Sequence, residues 1–272
     1  MARNPIVHGR FYPAEPHGLK ATVESFVRNG GEKQKALGML CPHAGYVFSG
    51  GIAGKAFGAV EVPDTVLLLN PSHNYDRPAL ALWTGGDWLT PLGPAKLHTE
   101  LTAALADHPL TTADDRPHLP EHSGEVVVPF IQVCNPQARI AVVCVTVSAA
   151  LETLKEFGAA LPGILAGCGA ADALVVASSD MSHERGPGAL KTVQEHDALA
   201  VAEMEKLDPD GLHAACSKHR ITMCGRLPAV AMMTSAAARG ATRGTVMGRA
   251  TSADSPHGGG DYIVGYAGMV FN

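Results

Sequence analysis

The sequence predicts an α/β protein in which helices cover a mostly parallel or mixed central sheet. Short apolar runs alternate with longer segments of helical periodicity, which is typical of repeated strand–helix–strand units. The runs are rich in Val and Leu without polar alternation, as expected for strands buried on both faces. The chain has 272 residues, 46% of them hydrophobic, and no segment of linker composition divides it. Residues 1–272 are therefore predicted to form a single domain.

The individual elements follow from these patterns in chain order. Strands are predicted for the apolar runs at residues 37–41, 65–70, 139–145 and 173–178, and a closing strand is predicted at residues 261–271. Helices are predicted at residues 16–29, 49–60, 100–107, 123–133, 151–167, 188–207 and 228–239. The proline-bounded segment 109–120 and the glycine-rich segment 252–261 are predicted to be loops.

The composition disfavours several functional classes. The net charge is 21 − 26 = −5 and only 5% of the residues are aromatic, so the chain has neither the basic excess nor the stacking surfaces that nucleic acid requires. It has no apolar run long enough to span a membrane and no recognisable secretory signal. Its six dispersed cysteines form no CxxC pair and are typical of reduced thiols. We therefore expect a cytoplasmic protein without nucleic-acid or membrane partners.

Three predicted strands are each followed by a histidine, namely His43, His73 and His183. Because ligands bind beyond the carboxyl ends of parallel strands, these imidazoles are expected to meet at one edge of the sheet. Buried imidazoles need polar partners, and a cluster of them suits metal binding or proton transfer. Each one alone is better explained as a structural histidine. His43 and His73 both lie beside a proline-stiffened turn, and we interpret this pair as metal ligands.

Two further residues are candidates for the same site. Cys224 lies in a Gly-flanked segment before a predicted helix, where the helix terminus and nearby Arg226 would favour the thiolate. The alternative for this residue is an inert buried cysteine. Asp180 precedes His183 closely and would orient its imidazole as a base. The alternative is that Asp180 caps a helix while His183 is exposed.

The segment 121–125 brings two carboxylates together with His122 at the predicted start of a helix. Glu121 and Glu125 would share one helix face, with His122 turned aside. A capping role and a catalytic role both remain open for this segment. The histidines in polar contexts are expected to be solvated at the surface; they are His98, His108, His118, His196, His213, His219 and His257.

Six motifs in order along the chain together resemble the Memo family. They are Gly9-Arg10-Phe11-Tyr12-Pro13, Pro42-His43-Ala44-Gly45-Tyr46, Pro71-Ser72-His73, Glu121-His122-Ser123, Ser178-Ser179-Asp180 with His183, and Cys224-Gly225-Arg226-Leu227-Pro228. The resemblance extends from about residue 9 to the C-terminus. That family is similar in structure to the class III extradiol dioxygenases, which are non-haem iron enzymes that open catechol-type rings. The resemblance implies one α/β domain with a metal pocket at one edge of the sheet.

The resemblance further implies that His43, His73 and Cys224 are the metal ligands. Two imidazoles and one anionic ligand leave coordination positions open for a diol and dioxygen, as in non-haem Fe(II) oxygenases. A thiolate also suits zinc and copper. Fe(II) is therefore the expected cofactor, with zinc and copper as alternatives.

The expected activity is extradiol cleavage of a small aromatic diol by dioxygen. The resemblance implies that His183 is the acid/base group beside Asp180, and that His122 belongs to the same catalytic pocket. Tyr46 and Arg226 are expected to form its walls, with Arg226 near a substrate carboxylate. The alternatives are a metal-binding redox or adaptor protein without turnover, and a zinc-dependent hydrolase.

The expected protein partners come from general considerations and from the family. A homodimer is expected because it is the commonest assembly of proteins of this kind. AMMECR1-like and radical-SAM proteins are expected as pathway partners through the family resemblance.

Overall fold

Helices alternate with strands along most of the chain, as the sequence predicts. A computed structural model describes residues 1–258 and 260–272. The strands are β1 (Gly38–Cys41), β2 (Thr65–Pro71), β3 (Leu80–Leu82), β4 (Trp88–Thr90), β5 (Gly93–Leu97), β6 (Thr112–Ala113), β7 (Arg139–Val145), β8 (Leu174–Ser178), β9 (His183–Arg185), β10 (Gly244–Thr251) and β11 (Tyr262–Phe271). The helices are α1 (Pro16–Val27), α2 (Tyr46–Gly58), α3 (Thr99–Ala106), α4 (Val128–Cys134), α5 (Leu151–Gly167), α6 (Ala189–Glu205), α7 (Pro209–His219) and α8 (Arg226–Ala238).

The centre of the sheet is parallel and its flanks are antiparallel. The strand order along the sheet is β10-β11-β1-β8-β2-β7-β3-β6. Strands β1, β8, β2 and β7 are parallel neighbours, whereas β11 and β3 run antiparallel to them. The predicted single-domain α/β fold with a mixed central sheet is confirmed. The carboxyl ends of β1, β8 and β2 consequently lie side by side, with β8 in the middle.

Both faces of the sheet are buried, which explains the uninterrupted apolar runs. Successive side chains of β2 alternate between two cores. Leu67 and Leu69 belong to the core covered by α5 and α8, whereas Val66 and Leu68 belong to the core covered by α1, α2 and α4. Each of these side chains is fully buried, and the burial of one such side chain stabilises a fold by roughly 1.5–3 kcal/mol.

Three predicted helix starts are wrong. Helix α2 begins at Tyr46 instead of residue 49, and α8 begins at Arg226 instead of residue 228. Helix α4 begins only at Val128, because residues 121–127 form turns whose two carboxylates are bound by other parts of the chain. Helix α7 was not predicted, since its charged residues interrupt the apolar pattern.

The apolar strands are confirmed close to their predicted bounds, but the short ones gave no usable pattern. Strands β3, β4 and β9 have three residues each and β6 has two, too few to show a periodicity. Segment 109–120 is not entirely loop, because it contains β6 and a 3-10 turn. Within the predicted loop 252–261, Gly259 lies outside the described residues. Among the described residues, no helix is both long and apolar enough to cross a membrane.

Two histidines expected at the surface are buried instead. His98 accepts a hydrogen bond from the amide of Leu101 and thereby caps the start of α3. His118 is 0% exposed and packs edge-on against Trp83 and Trp88. The polar sequence around His118 concealed this burial, because the apolar residues that cover it come from a distant part of the chain.

Candidate metal centre

Three imidazoles converge at the carboxyl edge of the parallel strands. His43 follows β1, His73 follows β2, and His122 lies in the turns before α4. One ligand nitrogen from each ring lies within 4.8 Å of the other two. The rings of His73 and His122 stack with their centroids 4.9 Å apart, and the ring of His43 stands nearly perpendicular to both. The predicted meeting of His43 and His73 at one edge is therefore observed.

Hydrogen bonds fix the tautomer of His43. Its Nδ1 is 2.7 Å from the hydroxyl of Ser178, the last residue of β8. That hydroxyl donates its only proton to the carbonyl oxygen of Ser123, also at 2.7 Å, and must therefore accept the proton of His43 Nδ1–H. Burial, followed by the nearby His122 and His73, lowers the pKa of His43 well below its ordinary value. His43 is thus a neutral imidazole whose Nε2 is unprotonated and can accept a hydrogen bond or bind a metal ion.

His73 is oriented by a buried carboxylate. Its Nδ1 is 2.9 Å from Glu121 Oε1, and its backbone N–H donates to Glu121 Oε2 at 2.6 Å. Burial alone would raise the pKa of Glu121, but the hydrogen bonds and charge of His73 outweigh it and hold this pKa well below its usual range. Burial by itself would lower the pKa of His73, but the hydrogen bond and the negative charge of Glu121 outweigh burial and raise this pKa. This carboxylate–histidine arrangement is typical of metal ligands and leaves Nε2 of His73 free.

His122 contributes to the donor cluster, a role that the sequence did not predict. It is not turned aside on a helix, because the chain forms turns at this point. Its Nδ1 lies 3.4 Å from Glu121 Oε1, and the ring of Phe11 packs edge-on against it at 5.0 Å. Burial lowers the pKa of His122. Glu121 therefore faces two of the three imidazoles and does not cap a helix.

Cys224 lies next to the cluster, beside His43. Its Sγ is 3.4 Å from His43 Nε2 and 3.6 Å from the carbonyl oxygen of Asp180. Burial, and then the charge of Asp180, raise the pKa of the thiol far above its usual value. The expectation that the helix start and Arg226 favour a thiolate is therefore wrong. A coordinating metal ion would itself deprotonate the thiol, so Cys224 stays a candidate ligand.

Asp180 supports the β1 turn and does not orient His183. Its Oδ1 accepts hydrogen bonds from the backbone amides of His43 at 2.8 Å and Ala44 at 3.2 Å. Burial raises the pKa of Asp180, although these hydrogen bonds oppose the change. The imidazole of His183 instead donates from Nδ1 to the carbonyl oxygen of Thr222 at 3.2 Å. In the neutral tautomer that this bond selects, Nε2 of His183 is the acceptor nitrogen.

Tyr46 and Arg226, the predicted pocket walls, do not line the cavity that opens beside the imidazoles. Tyr46 is buried in the core and donates its hydroxyl to the carbonyl oxygen of Val126 at 2.9 Å. Arg226 is the first residue of α8. Burial raises the pKa of the Cys216 thiol to about 11, and the positive charge of Arg226 opposes this change. The sequence showed that both residues are near the site, but not the direction of their side chains.

A cavity of about 420 Å³ opens beside the imidazoles, a size suited to a small ligand. It is lined by Phe11, Ala44, Gly45, Phe48, His122, Asp180, His183, Ser252, His257, Gly258, Tyr262, Val264 and Tyr266. Aromatic side chains thus form much of its wall, next to His122 and His183. The sequence gave no reason to assign Tyr262 and Tyr266 to a pocket, since both lie in a closing strand, and His257 was expected to be solvated.

Comparisons with known proteins identify the family. The sequence matches the family described as Memo-like protein over residues 3–270. The chain belongs to the Memo-like family. The family resemblance drawn from the six motifs is therefore confirmed.

Memo-like relatives match this chain along its whole length. A MEMO1 family protein of Aquifex aeolicus is 35% identical over 99% of this chain and 98% of the relative, and MEMO1 family protein MK0963 of Methanopyrus kandleri is 33% identical over 100% and 99%. Among solved structures, the uncharacterized protein JW3007 from Escherichia coli K12 is similar over 74% of this chain and 85% of that chain, with 13% identity and a TM-score of 0.38.

Proposed function

We propose that this Memo-like protein is a metal-dependent enzyme that cleaves a small aromatic diol with dioxygen in the extradiol manner. The observation that carries the proposal is the approach of three imidazole nitrogens to within 4.8 Å of one another beside an aromatic-lined cavity. The donor chemistry fits a metal ion, since imidazole nitrogens bind iron, zinc and copper. Two of the rings also have their Nδ1–H groups held by Ser178 and Glu121, which is how ligating histidines are commonly oriented.

In this proposal His43, His73 and His122 hold the metal, with Cys224 as a further ligand next to His43. Bound Fe(II) would supply open positions for the diol oxygens and dioxygen. Asp180 keeps the backbone of His43 in place, and Glu121 keeps the ring of His73 in place. These two imidazoles are thus already ordered before a metal ion binds, so binding does not lose the conformational entropy of fixing them.

His183 performs the proton transfer. Its Nδ1–H is engaged by the carbonyl oxygen of Thr222, so Nε2 is the atom that takes a phenolic proton from the diol. His183 and His122 both line the cavity, so a ligand bound there would contact the proposed proton acceptor and an imidazole of the donor cluster. Phe48 and Tyr266 form aromatic walls that exclude water from the aromatic ring of the bound diol.

The test is oxygen uptake by protein that has been loaded with Fe(II) under anaerobic conditions. A panel of catechols is added, and uptake is measured together with iron content and the absorbance of ring-opened product. We expect uptake that scales with iron occupancy and is lost in His183→Gln, which keeps its iron. The matched control is His219→Gln, at the exposed end of α7, which should behave as wild type. Absence of uptake with every diol at full iron occupancy contradicts the proposal.

A zinc-dependent hydrolase is the second candidate, and the three-imidazole set itself favours it. Three histidines are the protein ligands of one well-known class of catalytic zinc site, in which bound water is the nucleophile. His183 Nε2 would then take a proton from that water. Ester hydrolysis by the zinc-loaded protein that persists without oxygen would favour this function over ring cleavage.

The contact of Cys224 with His43 favours a third candidate, a metal-binding redox or adaptor protein without turnover. This function predicts tight metal binding and a biological role that survives His183→Ala. Under this proposal the cellular partners remain as expected from the family, namely AMMECR1-like and radical-SAM proteins.

A further inference from the structure

Arg3 is a buried charge that the proposed reaction does not use. Its side chain is 1% exposed, and its guanidinium lies 4.3 Å from the centre of the Trp88 ring. Burying an arginine is costly unless its donors are satisfied. Apart from one contact with the neighbouring Asn4, the side-chain hydrogen bonds of Arg3 all go to a single segment, residues 118–125.

The contacts of Arg3 span that whole segment. Its Nε donates to the carbonyl oxygen of His118 at 2.9 Å, and its Nη1 forms an ion pair with Glu125 Oε2 at 2.8 Å. Between these two points, Nη2 donates to the carbonyl oxygen of Glu121. That carbonyl belongs to the peptide group that joins Glu121 to His122. Arg3 therefore holds the backbone between Glu121, which binds His73, and His122, which belongs to the imidazole cluster.

Glu125 extends the same contact back to the N-terminal segment. Its carboxylate accepts hydrogen bonds from the backbone amides of Ile6 and Val7 and from the hydroxyl of Tyr12 at 2.7 Å. Phe11, next to Tyr12, packs edge-on against the ring of His122. The N-terminal segment therefore contacts segment 118–125 from two sides.

The local sequence has a competing preference. Its pattern predicts a helix from residue 123, but the helix starts only at Val128. The carbonyl of Glu121 and the carboxylate of Glu125 are instead committed to Arg3. Without Arg3, the turns at residues 121–127 lose two of the contacts that hold them, those of the Glu121 carbonyl and the Glu125 carboxylate.

We propose that Arg3 is a positioning residue of the metal site: by binding the carbonyls of His118 and Glu121 and the carboxylate of Glu125, it holds segment 118–125 so that Glu121 meets His73 and His122 faces the cluster. The inference rests on the proposed function for the identity of the site as a metal site. The placement of Glu121 against His73 can be tested without any metal.

The test compares Arg3→Lys with a matched control, Arg239→Lys. Arg239 also donates to backbone carbonyls, those of Leu37, Ala171 and Ala173, but at the amino ends of β1 and β8, away from the imidazoles. The first readout is a Co(II) titration followed by visible absorption, which reports affinity and coordination. The second is the NMR resonance of the His73 Nδ1–H that is hydrogen-bonded to Glu121, recorded without added metal.

In Arg3→Lys we expect Co(II) affinity to fall about 10–100-fold, the effect typical of groups that orient ligands, and the His73 resonance to shift or broaden away. Arg239→Lys should lose stability while keeping both readouts. A folded Arg3→Lys protein with wild-type affinity and resonance would overturn the inference. If the wild type binds no Co(II), the proposed function fails, and the resonance alone decides the role of Arg3.

A second variant covers the case in which Arg3→Lys does not fold. Glu125→Gln removes the charge of the ion pair but keeps an acceptor, so we expect Co(II) affinity to fall roughly 3–10-fold, with a smaller shift of the His73 resonance. A folded Glu125→Gln protein with both readouts unchanged would overturn the inference equally.

Discussion

His118 and His122 lie close together in the sequence, and their surroundings differ completely. His118 is enclosed by Trp83 and Trp88, and its Nε2–H donates to the carbonyl oxygen of Ala81. Among the described residues, Nδ1 of His118 has no hydrogen-bond partner. His122 instead shares a cluster with two other imidazoles beside a cavity.

The difference shows that burial alone does not mark a ligand. The ring of His118 is the more buried of the two, but it faces tryptophans and a carbonyl oxygen, where its role is packing. His122 differs because one of its ring nitrogens lies within 4.8 Å of a nitrogen of each of the other two imidazoles. The two environments should therefore respond differently to mutation, to metal and to pH.

Loss of one donor of the cluster should have the largest effect. We expect His73→Gln to reduce affinity for a divalent metal by well over about 100-fold, more than the loss of an orienting hydrogen bond causes. The matched variant His118→Gln should keep wild-type affinity. Isothermal titration with Zn²⁺ or Co²⁺ checks both, and an equal loss of affinity in the two variants would contradict the distinction drawn between the environments.

Removal of the proton acceptor should affect turnover but not metal binding. His183→Gln keeps the shape of the cavity wall and loses Nε2, so kcat should fall by roughly 10²–10⁴-fold. Metal affinity should stay within about twofold of wild type, because His183 hydrogen-bonds to Thr222 and lies outside the donor cluster. Steady-state kinetics and a metal titration on one preparation measure both quantities. Unchanged kcat would show that His183 is only a wall residue.

Removal of the charge of Glu121, the carboxylate that orients His73, should have a smaller effect on metal affinity. Glu121→Gln retains an acceptor for His73 Nδ1–H but removes the negative charge, so metal affinity should fall about 10–100-fold. A metal titration at neutral pH measures this loss. The control is Glu100→Gln, an exposed carboxylate near His98, for which no change is expected. Wild-type affinity in Glu121→Gln would mean that its charge is irrelevant to the cluster.

The burial of His118 should change how the free energy of unfolding depends on pH. Burial lowers its pKa to about 4 in the folded protein, even though the carbonyl of Ala81 opposes the shift. In the unfolded chain a histidine titrates near about 6.5, so the unfolded state binds the proton first as pH falls. The contribution of His118 to the free energy of unfolding is therefore complete above about pH 6.5. It falls by roughly 3 kcal/mol between there and about pH 4.

Urea unfolding of His118→Gln across this pH range measures that contribution. The variant should be less stable at neutral pH and should lose stability less steeply on acidification than wild type. The exposed His219→Gln should follow the wild-type slope. An unchanged slope in His118→Gln would contradict the buried neutral state assigned to His118.

The parts of the fold that were predictable are those governed by local pattern. Strands β1, β2, β7 and β8 lie in the parallel centre, where most side chains are apolar and buried, so the sequence shows them directly. From them followed the convergence of His43 and His73, because parallel strands end at the same edge. The fold class and two of the three donor histidines were predictable on this basis alone.

The remaining features depend on contacts between distant segments. Helix α4 begins late, with Pro129 in its first turn. The turns before it are held in part by the binding of Glu125 by Arg3, and nothing near residue 125 indicates that contact. The role of Ser178 in fixing His43 is equally non-local. The proximity of Arg226 to Cys216 and the inward burial of Tyr46 depend on packing in the surrounding core, which residue spacing does not encode.

The position of β8 between β1 and β2 has a consequence for biosynthesis. His43 and His73 leave the ribosome long before residues 174–178, and without β8 the strands that carry them share no neighbour. Ser178, which sets the ring of His43, arrives with that same strand. A nascent chain without β8 therefore lacks the strand that brings His43 beside His73 and His122, and the set of three imidazoles is complete only once β8 is in place. Loading with metal would thus be a late event that reports complete folding.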